Sequence, residues 1–136
     1  MAVGLRVGDV SWAVGAASFF EAFFSTVAVR LEPDGWGTRF PAVMNDLYAG
    51  QLSDDRASGA DCELQTIRRE LRKHPSSDVV WDSRDRSRQP PWGAAIAAHI
   101  TDLGNYFVTS DGRDLFDVLH EALDRAATTG VPVHVQ

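Results

Sequence analysis

Four histidines, one cysteine and a helical run of acids are the residues of this chain whose types could do chemistry. His74, His99, His120 and His134 lie far apart, and no H-E-x-x-H pair or Cys/His set at zinc-finger spacing joins them. A metal centre needs three or four converging ligands, and His99 with Asp102 supplies only two. A thiol nucleophile needs Cys62 beside a base that takes its proton. Cys62 falls opposite the apolar stripe of its predicted helix, so an exposed thiol of ordinary reactivity is expected. The chain has no G-x-S-x-G elbow for a serine hydrolase, no G-x-G-x-x-G and no phosphate-binding P-loop. The residues argue for binding over catalysis, with no enzyme activity, no cofactor and no metal.

Charged and aromatic residues offer two binding surfaces. Asp114, Asp117, Glu121 and Asp124 fall within about 80° of one another at helical spacing, opposite Leu115, Val118, Leu119, Ala122, Leu123 and Ala126. Such a stripe is either a solvated face, as most are, or an electrostatic dock for a basic partner. Arg84, Arg86 and Arg88 alternate with Asp82 and Asp85 beside Trp81 and Trp92. Trp and Arg are enriched at interface hot spots, yet surface charge clusters often only pair with neighbouring acids while a Trp fills the core. Trp36–Gly37 and Trp92–Gly93 read as loop anchors. The candidate partner-binding residues are therefore Arg86, Arg88, Trp92, Asp114, Asp117, Glu121 and Asp124.

The overall charge constrains the partner. The net charge of −6 is distributed as −3 over residues 1–60, +1 over 61–90 and −4 over 91–136. An acidic chain is a poor nucleic-acid binder, because that binding is driven by phosphate neutralisation, and it attracts basic partners. The single cysteine excludes an intramolecular disulfide and suits a reducing compartment. The N-terminus lacks the pattern of a secretory signal, and no stretch approaches the roughly 18 apolar residues of a membrane span. A cytoplasmic protein is expected, with no nucleic-acid or membrane partner; homo-oligomerisation is not indicated.

The elements that must position these residues are legible from periodicity. Val3, Leu5 and Val7, then Val10, Trp12 and Val14, alternate around Gly8–Asp9 as in a hairpin. Ser18 and Glu21 form a capping box ahead of a helix on which Phe19, Phe20, Phe23, Phe24, Val27 and Leu31 share one half. Pro33, Asp34 and Gly35 end it. Residues 40–48 read as a short helix with Pro41 in its first turn and Gly50 after it. Ser53 caps a longer helix whose stripe is Ala57, Ala60, Leu64, Ile67 and Leu71. Strands are expected at 78–82, 105–109 and 131–135, and a last helix runs from Asp111–Gly112 to about Thr128. The order implies one α+β domain over residues 1–136, with a mostly antiparallel or mixed sheet of four to five strands and helices on one face.

The connection 83–104 is long for a compact domain, where loops beyond about 15 residues are usually functional or disordered. It carries Trp92, Ile96, Ile100 and Leu103, which disordered segments lack, and one helical turn is expected around residues 94–99. A loop of this kind presents or covers a surface. A small enzyme or metabolite-binding domain using a cleft beneath the 83–104 loop is the alternative, disfavoured by the missing acid–base and nucleophile sets.

The blocks SFFEAFFSTV, WGTRFPAVMNDLYAGQL, IRREL, VVWD, QPPWG and ITDLGNYFVTSDGRDLFDVLHEAL, in that order, resemble the seventieth of the numbered families of bacterial polymorphic-toxin immunity proteins. The resemblance runs from Ser18 to about Leu123. It implies a small cytosolic protein, encoded beside a secreted toxin, that binds the cognate toxin domain and neutralises it. It carries over no catalytic residue. Residues 83–89 and 93–99 match the blocks less well.

Overall fold

The computed structural model describes residues 2–92 and 98–136. Strands β1 (Ala2–Val7) and β2 (Val10–Ala16) form the expected hairpin, paired Val7 to Val10 across two turn residues. Gly8 takes φ +60° there, at the position where a II′ hairpin turn favours glycine. Two further strands complete an antiparallel sheet ordered β2-β1-β4-β3: β3 (Gln51–Leu52) and β4 (Val133–Val135). The fold is mixed α and β, with helices packed against this four-stranded antiparallel sheet.

Helix α1 (Ala17–Leu31) continues directly from β2. The expected capping box is not formed. Ala16 is the N-cap, Ser18 lies exposed inside the first turn, and the Glu21 carboxylate accepts instead from the Tyr48 hydroxyl. Burial of the phenylalanines fixes where this helix sits, and that term far exceeds a cap. Phe19, Phe20, Phe23 and Phe24 are all buried as the periodicity predicts. Phe23 meets Phe24, Phe107 and Phe116 edge-on at 5.4, 5.4 and 5.5 Å between centroids, joining α1 to the chain around 107 and to the last helix.

The strand expected at 78–82 is not in the sheet. Val80 donates its N–H to Thr26 Oγ1 at 3.0 Å, and Ser83 donates to Ser25 Oγ at 3.1 Å. Two buried hydroxyls of α1 thus serve this extended segment as a neighbouring strand would. The strand expected at 105–109 reduces to one bridge, Val108 to Asp114, with Ser110 N–H donating to Val14 O at 3.0 Å. Alternating burial marks an extended chain on a core, and it does not say whether the backbone bonds run to a strand or to side chains. The helical turn expected at 94–99 falls largely on residues outside the described set.

Helix α2 (Ala57–Leu71) buries Ala57, Ala60, Leu64, Ile67 and Leu71, as predicted. Its Ser53 cap is displaced: Asp54–Arg56 form a 3-10 turn first, and the Ser53 hydroxyl donates to Asp55. Helix α3 (Leu115–Thr129) begins later than expected because Asp114 is its cap, accepting from Phe116 N–H at 2.8 Å, while Asp111–Gly112 form the preceding turn. Gly130 closes it in the left-handed conformation, φ +71°.

The short helix expected at 40–48 is present with a π-helical centre, Ala42–Leu47. Glu63 of α2 caps its start, accepting from Ala42 and Val43 N–H at 3.2 and 2.9 Å, and burial pushes this carboxyl above its ordinary range. The loop before it is organised by a second carboxylate. Glu32, 3% exposed, accepts from Gly37, Arg39 and Phe40 N–H at 3.0, 3.1 and 3.1 Å. Arg39 locks the same loop to α2 through a two-pronged pair with Glu70, at 2.8 and 2.6 Å. Unsatisfied buried donors typically cost ~1–3 kcal/mol, so Glu32→Ala is expected to lower stability by about that amount. Amide exchange at Gly37, Arg39 and Phe40 is expected to rise well before global opening; protection equal to wild type at all three amides would show that the carboxylate does not organise the loop.

Candidate partner-binding face

Glu32 and the π-helical turn together place two aromatic rings at the surface. Trp36 projects from the loop that Glu32 organises, and its indole N–H donates to Met44 O at 2.7 Å. Tyr48 leaves the end of the π-helical turn and meets the Trp36 ring at 4.8 Å and the Phe24 ring at 5.0 Å, edge-on in both cases. The two rings remain 36% and 40% exposed although each is fixed by a hydrogen bond and a neighbouring ring. A rigid, half-open aromatic pair is what a protein interface uses as an anchor, since little side-chain freedom is lost on docking. π-Helical winding is itself frequent at functional sites.

The face continues from Tyr48 through charged groups. The Tyr48 hydroxyl donates to Glu21 at 3.1 Å, and Arg84 approaches the same carboxylate at 3.5 Å. Partial burial and the Glu21 hydrogen bond both hold the Tyr48 phenol above its ordinary value, so it stays a donor at neutral pH. Arg84 and Arg88 both reach Asp82, at 3.9 and 3.4 Å, and Arg84 N–H donates to Asp82 at 2.9 Å. Next to Asp82, Trp81 is core, and Trp92 stands edge-on to it at 5.3 Å. The Trp92 indole N–H donates to the Tyr106 hydroxyl at 2.9 Å, leaving the ring 40% exposed. Contact therefore passes from Trp36 through Tyr48, Glu21 and Arg84 to Asp82, joining segments remote in sequence, while Trp92 rests on Trp81, the buried neighbour of Asp82 in the chain. Arg86 is exposed within the same loop.

Beside Tyr48 the surface opens into a cleft of about 280 Å³, lined also by Val3, Ala17, Phe20, Glu21, Phe24 and Val135. The alternative cleft expected beneath 83–104 falls partly on residues outside the described set.

The acidic stripe is less uniform than its spacing suggests. Asp114 is half-buried as the α3 cap, its carboxyl pushed up by burial, and it lies 3.4 Å from Arg68. Arg68 also reaches Asp117 at 3.2 Å and lies over the Phe116 ring. Glu121 pairs with Arg113, which holds its carboxyl below the usual range, and accepts from the Trp12 indole at 3.2 Å. Asp117, Glu121 and Asp124 are exposed. Among the described residues the partners of Trp92 are Trp81 and Tyr106, while those of the stripe include Arg68, Arg113 and Trp12, and no shared contact joins Trp92 to the stripe.

The other chemistry-bearing residues are dispersed. Asp102 accepts from Gly104 N–H at 2.7 Å in a local turn, and His99 is exposed. His120 sits on Asp61 at 2.9 Å, and that hydrogen bond raises its pKa. Cys62 is exposed. Among the described residues no three His, Cys, Asp or Glu side chains gather as a metal site would require.

Trp36, Tyr48 and Glu21 are not among the partner-binding residues named from the sequence, where Trp36 is read as a loop anchor and Glu21 as half of a capping box. One signal was available: Glu21 is the single charge in the ASFFEAFFSTVAV run of α1. A charge amid four phenylalanines marks the place where that helix meets the surface.

The model of the family described as Immunity protein 70 matches residues 5–135. No curated protein matches the chain, and no solved structure does.

Proposed function

We propose, because the chain belongs to the Immunity protein 70 family, that it binds the toxin domain encoded beside it and neutralises that toxin by stoichiometric contact, without turning over a substrate. It acts in the cytosol of the cell that makes it. The observation that supports the reading is a set of half-exposed rings, Trp36 against Tyr48 and Trp92 on Trp81, with Arg84 reaching Glu21 beside Tyr48 and Arg88 reaching Asp82. Aromatic and arginine side chains are the groups that dominate interface energetics. An interface of standard size covers roughly 800 Å² of each partner, enough to take in these rings and the loop. In this reading Arg86, Arg88 and Trp92, all exposed, are contact residues. Co-expression with the adjacent toxin domain is the test. Protection and a one-to-one complex on size exclusion are expected; undiminished killing with no complex would overturn the reading.

The stripe contributes steering to the same encounter. Asp117, Glu121 and Asp124 add to a chain of net charge −6, and charge of this kind acts mainly on the association rate. Asp114 acts through the same field, although its first role is to cap α3. Reversing Asp117 and Glu121 to Lys is expected to slow association several-fold at low salt, with dissociation unchanged, and added salt should shrink the difference. Association at the wild-type rate in low salt would reduce the stripe to a solvated face.

A further inference from the structure

We propose that the cleft beside Tyr48 receives an arginine side chain of the toxin domain, seated between Phe20, Phe24 and Tyr48 with its guanidinium on Glu21; the proposal rests on the toxin-binding reading above. Size points to a side chain. At about 280 Å³ the cleft falls just below the roughly 300–1,000 Å³ of ligand pockets, so it suits one inserted residue better than a metabolite.

Chemistry selects a cation. The lining is aromatic and aliphatic apart from one acid, Glu21, whose side chain is 24% exposed. Among the described residues its partners, the Tyr48 hydroxyl at 3.1 Å and the Arg84 guanidinium at 3.5 Å, both reach one oxygen, Oε1, and a carboxylate has capacity for further donors. Aromatic faces attract cations, and arginine is favoured because its planar group stacks on rings and pairs with carboxylates bidentately.

The chain already supplies a stand-in for the expected group. Arg84 brings its own guanidinium to Glu21 from a loop position whose side chain is 77% exposed. So exposed an ion pair holds its geometry weakly, and an arginine arriving with a partner can displace Arg84 or share the carboxylate with it. Arg84 then remains at the rim, where Asp82 also holds it.

The test measures binding of the purified neighbouring toxin domain to the full chain and to two variants. Glu21→Gln removes the charge while keeping an acceptor for Tyr48. Ala17→Leu, at an exposed position of α1 that lines the cleft, fills the space without touching charge. Both should melt close to wild type. Breaking a desolvated charge pair typically costs a factor of roughly thirty or more in affinity, and that loss is expected for Glu21→Gln, mostly through faster dissociation. Ala17→Leu should weaken binding comparably by excluding the incoming side chain. Among arginine-to-alanine variants of the toxin, one should cost little once Glu21→Gln is present.

If wild type binds and both variants bind within about twofold of it, the arginine proposal falls and the immunity reading stands. Loss by Ala17→Leu alone would mean an apolar occupant, and loss by Glu21→Gln alone a charge contact outside the cleft; either overturns the proposal. Absence of any complex with wild type removes the immunity reading and this proposal together.

Discussion

Truncating Phe23 to alanine is expected to lower stability by about 3–5 kcal/mol, the usual cost of deleting a fully buried aromatic ring. Phe23 is 0% exposed and joins four other rings: Phe20 and Phe24 on its own helix, Phe107 in the extended chain and Phe116 on α3. Its loss opens a void where three parts of the chain meet, so the rings around it cannot collapse inward together. For a chain of this length the cost corresponds to a melting temperature lower by roughly 10–20 °C. Urea unfolding should show a lower midpoint with an unchanged slope. A melting temperature within about one degree of wild type would mean that the four phenylalanines form an exposed docking surface in solution.

The second large effect is expected on binding. Replacing Trp36 and Tyr48 by alanine together should weaken the complex with the toxin domain by about thirtyfold or more, because interface hot spots cost at least ~2 kcal/mol when truncated. The two rings touch, so their effects will not add. Each is 36–40% exposed, and the core beneath is closed by Phe20 and Phe24, so the fold should survive the change. A thermal melt within a few degrees of wild type separates lost contact from lost structure. Wild-type affinity for this double variant, in a pair where wild type protects, would move the interface away from Trp36 and Tyr48. The same substitution at Trp92 would then locate it on the 82–92 side or exclude that side.

Much of the fold is legible in the sequence because periodicity is a local property. The hairpin around Gly8–Asp9, the phenylalanine face of α1, the Ala57-to-Leu71 stripe and the amphipathic last helix each declare which side is buried, and each is buried on that side. Family likeness is legible for a related reason: long blocks of uncommon composition lie in order along nearly the whole chain, and the family model covers residues 5–135.

The misreadings share one cause. Residues 78–82 and 105–109 have the alternation of strands, but alternation records only that one side of an extended chain is buried. Ser25 and Thr26, more than fifty residues away, take the backbone bonds of the first segment, and a turn through Arg113 takes those of the second. The two-residue strand β3 is too short to carry a period at all. Ser18 with Glu21 has the spacing of a capping box, but the helix starts two residues earlier, with Ala16 as its N-cap.

The functional face follows the same division. The sequence by itself determined the acidic balance, the absence of the familiar catalytic motifs, the cluster Arg84, Arg86 and Arg88 and the aromatic character of the chain. Only the tertiary structure decided which groups meet: Arg68 crosses from α2 to hold Asp114 and Asp117, Arg113 takes Glu121, and Glu32 gathers three amides to present Trp36. Glu21, Tyr48 and Arg84 become neighbours across separate elements. Burial is encoded by the spacing of apolar residues along one element, whereas ion pairs and hydrogen bonds depend on which elements lie side by side, and packing of the whole core sets that.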